Sequence, residues 1–316
     1  MTVRPRRRMH LAALSHLDPS STPRIEFSAF EHLARTAERG LLDFLFLAEG
    51  PEPREHDGRI HDPDAVEHPE PLTVLNALAA VTERLGLAAT VDAARDHPYE
   101  LARRLATLDH LSAGRSAWHP VTSSDAFTGE NGVVESVAVA RRLWDSWTPD
   151  GLSGHPVVIQ TGDSDEFREC AASTADVLFT GHGTPEAGRS FYADVKRRLG
   201  KHGRSPDDLK IMRGVTVVLG DTAAEAQERA AGSGAQQTDR QFLAGTPEAV
   251  ATELEELVRR GAADGFVLVP HGISGGLDEF VDRVVPLLQE RGAFRMRYEG
   301  ATLRAHLGLP GPVWNG

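Results

Sequence analysis

Short apolar runs alternate with amphipathic helical stretches along the whole chain, and this alternation limits the possible folds more than any other feature. A repeated strand–helix order requires parallel strands joined by helical crossovers. Strands are predicted at residues 9–14 (MHLAAL), 42–48 (LDFLFLA), 87–91, 115–121, 156–160 (PVVIQ) and 176–180 (DVLFT), within 209–219, and at 265–270 (GFVLVP). Between them, apolar residues at helical spacing predict helices at 30–39, 71–84, 99–111, 133–147, 163–173, 185–199, 223–231, 247–260 and 277–290. Gly40 and Gly86 follow helix ends and Pro71 opens a helix, the usual asymmetry of the two residues. Eight such units predict a closed α/β barrel of the (β/α)8 TIM type rather than an open doubly wound sheet. The 316 residues suit one such domain, 1–316, with shortened insertions, a ragged basic start at 1–8 and a surface tail at 308–316.

Charge and cysteine content narrow the function classes. The formal net charge of −12 repels phosphate backbones, so nucleic acid is excluded as a partner, although a small anion held by backbone N–H groups is not. The single cysteine, Cys170, rules out an intrachain disulfide and a cysteine-rich metal site, and sits in a helical stretch as a buried thiol. No apolar run has the length of a membrane span, and the expected location is a reducing cytoplasm.

In a barrel of this kind ligands bind where the strands end. That selects Glu49, Thr90, the stretch Trp118-His119-Pro120-Val121-Thr122-Ser123, the stretch Gln160-Thr161-Gly162-Asp163-Ser164, residues 181–183 and residues 270–276. Gln160 to Ser164 carry a strand into a helix through a glycine and a hydroxyl. Such a turn either binds a phosphate on unpaired N–H groups or is a plain helix cap made by Asp163 or Ser164. Trp118, His119, Thr122 and Ser123 bring an indole, an imidazole and two hydroxyls to one strand end, as an aromatic-ligand wall or as a packed pair. His56, His61 and His68, with Asp57, Asp62 and Asp64, match no standard zinc spacing and read as a loop or lid, so no metal is expected. Gly275-Gly276 reads as a tight turn or a close backbone approach. The chain has neither GxSxG nor GxGxxG.

A set of stretches in shared order identifies a resemblance. They are TAERG (36–40), FLAEG (46–50), EPLT (70–73), AAVTERLGL (79–87), PYELARR (98–104), LDHLSAGR (108–115), LWDSW (143–147), HPVVIQ (155–160), GAADGF (261–266) and GGLDEF (275–280). Together, over residues 9–309, they resemble the luciferase-like flavin-dependent monooxygenases, in the branch of the nitrilotriacetate, dibenzothiophene-sulfone and long-chain alkane monooxygenases and the pristinamycin synthase large subunits.

The resemblance implies a (β/α)8 barrel, usually dimeric. It binds reduced FMN (FMNH2) from a separate NAD(P)H-dependent flavin reductase and uses O2 to oxygenate a small organic substrate. The implied catalytic residue is His119, which hydrogen-bonds the flavin or moves a proton. Implied cofactor contacts are Glu49, Thr90, Trp118, Thr122, Ser123, Gln160, Gly162, Asp163 and Ser164, with Gly162 and Ser164 at the phosphate. Three positions depart from the family pattern: Glu49 stands for Asp, His119 for Asn, and Asn131 for Tyr. Two insertions are reduced to residues 148–154 and 230–244, which predicts a more open pocket. The rival readings are a non-catalytic flavin-binding or partner protein of the same fold and a deazaflavin-dependent oxidoreductase. The Ala-, Arg- and Gly-rich composition suits a high-GC bacterium and a tailoring role in a biosynthetic pathway.

Overall fold

A computed structural model describes residues 8–15, 26–48, 69–93, 97–121, 130–147, 155–181, 184–232, 241–269 and 276–311, with backbone alone at 55–56, 59–60 and 130–131. The elements run β1 His10–Ser15, α1 Phe27–Arg39, β2 Phe44–Leu47, β3 Glu55–His56, β4 Arg59–Ile60, α2 Pro71–Ala79, β5 Gly86–Asp92, α3 Pro98–Leu111, β6 Ser116–Val121 and α4 Glu130–Ser146. They continue with β7 Val157–Thr161, α5 Asp165–Thr174, β8 Val177–Thr180, α6 Pro185–Leu199, β9 Lys210–Leu219, α7 Ala223–Gly232 and β10 Gln241–Gly245. The last are α8 Pro247–Arg259, β11 Gly265–Leu268, α9 Gly276–Arg283, α10 Val285–Glu290 and α11 Leu303–His306.

Eight strands close on themselves in the order β1-β2-β5-β6-β7-β8-β9-β11, all parallel, with β11 returning to β1. This is the predicted barrel, and all eight predicted strands are in it. Each is buried along nearly its whole length, because helices cover one face and barrel-interior side chains the other. Ala12, Leu14, Phe44, Phe46, Ala88, Ala117, Val157, Ile159, Val177, Met212 and Val267 fill the interior. The alternate residues of the same strands pack outward against the helices, in a larger cluster that includes Leu11, Leu45, Leu87, Trp118, Val158 and Val215.

Four departures from the sequence reading have local causes. Helix α2 stops at Ala79 rather than at 84, because the Glu38 carboxylate accepts the N–H groups of Glu83, Arg84 and Leu85 at 2.6–2.9 Å. The expected final helix is two, α9 and α10, divided at Val284, since Pro286 has no N–H to continue the ladder. Strand β10 (QFLAG), unforeseen just after the polar stretch that ends at 241, pairs with the outer half of β9 over Val215–Leu219. The tail does not begin at 308 as a surface segment: Leu309 is buried, and with Leu303 and Leu307 it packs into the interior cluster.

Candidate functional site

Interior alternation decides which side chains reach the mouth formed by the C-terminal strand ends. On β6, Ala117 points in, Trp118 out and His119 in; on β7, Val157 and Ile159 point in and Thr161 continues that face. Thr90 lies opposite His119 in the β5–β6 register. The result is a row of three side chains across adjacent strands. Thr90 Oγ1 lies 3.1 Å from His119 Nδ1, and His119 Nε2 lies 3.0 Å from Thr161 Oγ1. Phe46 of β2 meets the imidazole edge-on, ring centroids 5.4 Å apart. Burial drives the His119 pKa down to about 4, so the ring is neutral at physiological pH.

Thr161 lies within the stretch selected at this strand end but is not among the implied cofactor contacts, although two residues after Ile159 in a strand it has to share the interior face. Asp92 was missed. It lies two residues past Thr90, paired in register with Val121, and is buried at the same end of the barrel.

Two of the expected cofactor contacts are corrected. Trp118 is fully buried away from the mouth; its ring meets Trp144 of α4 at 6.5 Å and 82°, and its Nε1–H donates to the Val91 carbonyl at 3.4 Å. Gln160 also faces the helix layer, where its amide donates to Thr174 Oγ1 at 2.9 Å and its oxygen faces Cys170 Sγ at 3.6 Å. Both occupy outward positions of their strands, so a residue's place at a strand end was not enough to put its side chain in the mouth. Cys170 lies on the buried face of α5, as expected.

After Thr161 the chain turns sharply. Gly162 has φ +149°, and a Cβ there would come within 2.5 Å of the Phe167 ring, so only glycine is accommodated. Ser164 is the N-cap of α5, its side chain accepting the Phe167 N–H at 3.0 Å. The helix start is exposed and carries Asp163, Asp165 and Glu166. Of these, Asp165 pairs with Arg198, which also pairs with Glu169 and Asp194. Glu49, Thr122 and Ser123, the lid histidines His61 and His68, and Gly275 lie outside the described residues, as does the side chain of Asn131. Among the described residues, no cluster of three or more His, Cys, Asp or Glu could hold a metal ion, and no helix is long and apolar enough to cross a membrane.

A closed parallel barrel with a polar row at its mouth is shared by many enzymes, and comparison with known proteins narrows the field. The family model for luciferase-like monooxygenases matches residues 8–243. The chain belongs to the luciferase-like monooxygenase family. It is 31% identical to N-acetyl-S-(2-succino)cysteine monooxygenase of Bacillus subtilis (strain 168), with 96% of this chain and 95% of the relative covered. Nitrilotriacetate monooxygenase component A of Aminobacter aminovorans is likewise 31% identical, with 93% of each covered. Among solved structures, an EDTA monooxygenase from Chelativorans sp. BNC1 superposes with TM-score 0.82 at 23% identity, over 96% of this chain and 99% of that one. The first of these alignments extends over 421 residues against a chain of 316, so this member of the family lacks more than a hundred positions that its relative has.

Proposed function

We propose that the chain is the oxygenase of a two-component system, taking reduced FMN from a separate NAD(P)H-dependent reductase and oxygenating a small organic substrate, as a homodimer in the cytoplasm. Supporting the oxygenase reading is the coincidence of family membership with a neutral, hydroxyl-flanked imidazole on the inner wall at the end of the barrel where ligands bind.

The residues present suit a flavin mononucleotide. Its phosphate needs backbone N–H groups at a close approach, and the Gly162 turn into α5 supplies a helix N-terminus next to a position where a Cβ cannot fit. Its ring needs an apolar surface and a few hydrogen-bonding groups, which Phe46, Thr90, His119 and Thr161 provide. Bound reduced flavin supplies two electrons, so that one oxygen atom of O2 enters the substrate and the other leaves as water. The protein's part is positional. Thr90 and Thr161 fix the plane of the imidazole, and its neutrality keeps a positive charge away from the ring. The buried wall around it excludes water from the reacting edge. His119 is the group at this wall suited to hold or move one proton, since it has an N–H at one nitrogen and a lone pair at the other. With over a hundred positions fewer than its relative, this member encloses its substrate with less chain, which favours bulkier substrates or a more open mouth.

Anaerobic titration with reduced FMN, followed by an oxygen pulse with candidate substrates, tests the reading. Saturable binding and oxygen-dependent product are expected, and the oxygenated product must be absent in His119→Phe. Tight binding with no product on any substrate points to the non-catalytic flavin carrier. Preference for a deazaflavin over FMN points to the dehydrogenase-type alternative.

A further inference from the structure

The resemblance implies an amide at the position of His119, and an amide held in one orientation presents one donor and one acceptor. An imidazole held between two hydroxyls behaves differently. A neutral ring carries one N–H and one lone pair, and here both nitrogens face a threonine oxygen, at 3.1 Å on the Nδ1 side and 3.0 Å on the Nε2 side. Each hydroxyl is therefore assigned by the tautomer. When the proton is on Nε2, Thr161 accepts it and directs its own hydrogen away from the ring. When the proton is on Nδ1, Thr161 donates to Nε2 and presents only lone pairs, while Thr90 takes the opposite role. Thr161 is the more exposed end of the row and leads directly into the Gly162 turn; Thr90 is buried.

We propose that Thr90, His119 and Thr161 form a tautomer relay that lets the barrel wall change from donor to acceptor at Thr161, matching the two redox forms of a bound isoalloxazine edge. The proposal rests on the flavin reading above. Oxidised flavin has a lone pair on its central ring nitrogen and reduced flavin has an N–H there, so a fixed amide suits one form better than the other. The Nε2–H tautomer gives Thr161 a hydrogen to offer the oxidised edge, and the Nδ1–H tautomer gives it a lone pair for the reduced edge. The exchange is proton-neutral: Nε2 loses one proton, Nδ1 gains one, and no electrons move in the protein. It adds no charge to the wall, which suits a site whose burial disfavours the imidazolium. Thr161 and Thr90 are positioning residues in this scheme.

The test reads the ring directly. Histidine-labelled protein is observed by nitrogen-15 NMR alone, with oxidised FMN and with FMN reduced under anaerobic conditions; the His119 signals are those missing from His119→Asn. The expected result is a neutral ring throughout, protonated on Nε2 with oxidised FMN and on Nδ1 with reduced FMN. Thr161→Val should abolish that response and move the ratio of the two dissociation constants by at least threefold, and Thr161→Ser should restore both. If wild-type protein binds FMN in both forms while His119 keeps one tautomer, the relay is overturned and the flavin reading stands. If wild-type protein binds neither form, both fall together. Should the valine variant not fold, the wild-type spectra and the serine variant decide the matter unaided.

Discussion

The two ends of the barrel are built from opposite chemistry. At the N-terminal end three aspartates stand immediately before strands: Asp43 before β2, Asp176 before β8 and Asp264 before β11. Each grips one residue of the neighbouring strand twice. The Leu11, Val158 and Ile211 N–H groups donate to the three carboxylates at 2.8, 2.9 and 2.9 Å. The aspartates' own N–H groups donate to the carbonyls of those same residues. Each carboxylate also has a cation: Arg295 with His10 for Asp43, Arg304 for Asp176, and Lys196, helped by the Tyr192 hydroxyl, for Asp264. Arg295 and Arg304 come from the C-terminal segment whose Leu303, Leu307 and Leu309 plug the interior. At the mouth, the row of side chains is neutral and bonded through hydroxyls. Charge matched by counter-charge holds one end shut, while at the other the hydroxyl–imidazole row itself is uncharged, with the Asp92 carboxylate buried two residues past Thr90 at the same end.

Breaking the charged end gives the largest effect. Asp43 is completely buried; burial alone would raise its pKa, but the charges of Arg295 and His10 outweigh it and hold the carboxyl down to about 2. Asp43→Ala leaves Arg295 buried without its main partner and is expected to cost about 3–5 kcal/mol in urea unfolding. Flavin affinity of the protein that remains folded should be unchanged, because the mouth is not touched. If affinity falls in proportion to stability, the two ends are coupled and the division drawn here fails. The carboxyl's depressed pKa also sets a sign. Its contribution of about 2 kcal/mol is complete above the ordinary value near 3.8 and disappears as pH falls through about 2.

The mouth responds to acid in the same sense but at higher pH, because His119 also has a folded-state pKa below its unfolded value. An unfolded chain protonates His119 near 6.5, whereas the folded protein resists until about 4, so between those values the unfolded state binds more protons and acid favours it. The stability of wild type relative to His119→Asn is therefore expected to drop by about 2 kcal/mol between pH 7 and pH 5, and by about 3 kcal/mol at pH 4. Parallel pH profiles for the two proteins would mean that the imidazole is solvated and charged in the folded state, which removes the basis for a neutral wall.

This contrast also explains what could be read from sequence. The barrel was legible because its signal is distributed: eight apolar runs and the helices between them all point to one topology. The mouth was legible by strand position but not by strand face. His119 and Thr90 were selected and do meet; Trp118 and Gln160 were selected on the same grounds and point into the helix layer. Counting in twos from Ile159 or Ala117 would have exchanged Gln160 for Thr161 and removed Trp118. The charged end was missed altogether, though an aspartate directly before an apolar run occurs three times in the sequence. Arg295 lies 252 positions from Asp43 and Arg304 lies 128 positions from Asp176, while Lys196 comes to Asp264 from a helix between β8 and β9, and no local pattern links such partners.

The turn at the mouth, just past β7, gives an intermediate effect. Gly162→Ala sets a methyl within 2.5 Å of the Phe167 ring at a φ of +149°, a conformation other residues rarely adopt. A loss of about 1–3 kcal/mol is expected, together with at least tenfold weaker FMN binding, since the displaced turn carries the proposed phosphate contacts. Riboflavin, which has no phosphate, should lose much less. Equal losses for the two ligands would place the phosphate elsewhere on the rim.

The smallest effect separates capping from binding at a single atom. Ser164 accepts the Phe167 N–H, and an N-cap of this kind contributes about 1 kcal/mol, which Ser164→Ala should remove. Aspartate preserves the cap, because its carboxylate accepts the same N–H group, but it adds negative charge at the point proposed for the phosphate. Ser164→Asp is thus expected to match wild type in thermal unfolding while binding FMN several-fold more weakly, with the deficit enlarged at low salt, where charge repulsion is least screened. Ser164→Ala should show the reverse pattern, with the stability loss exceeding the binding loss. Were the aspartate variant to bind FMN as well as wild type at low ionic strength, no phosphate could sit at this helix start, and Ser164 would be a cap and nothing more.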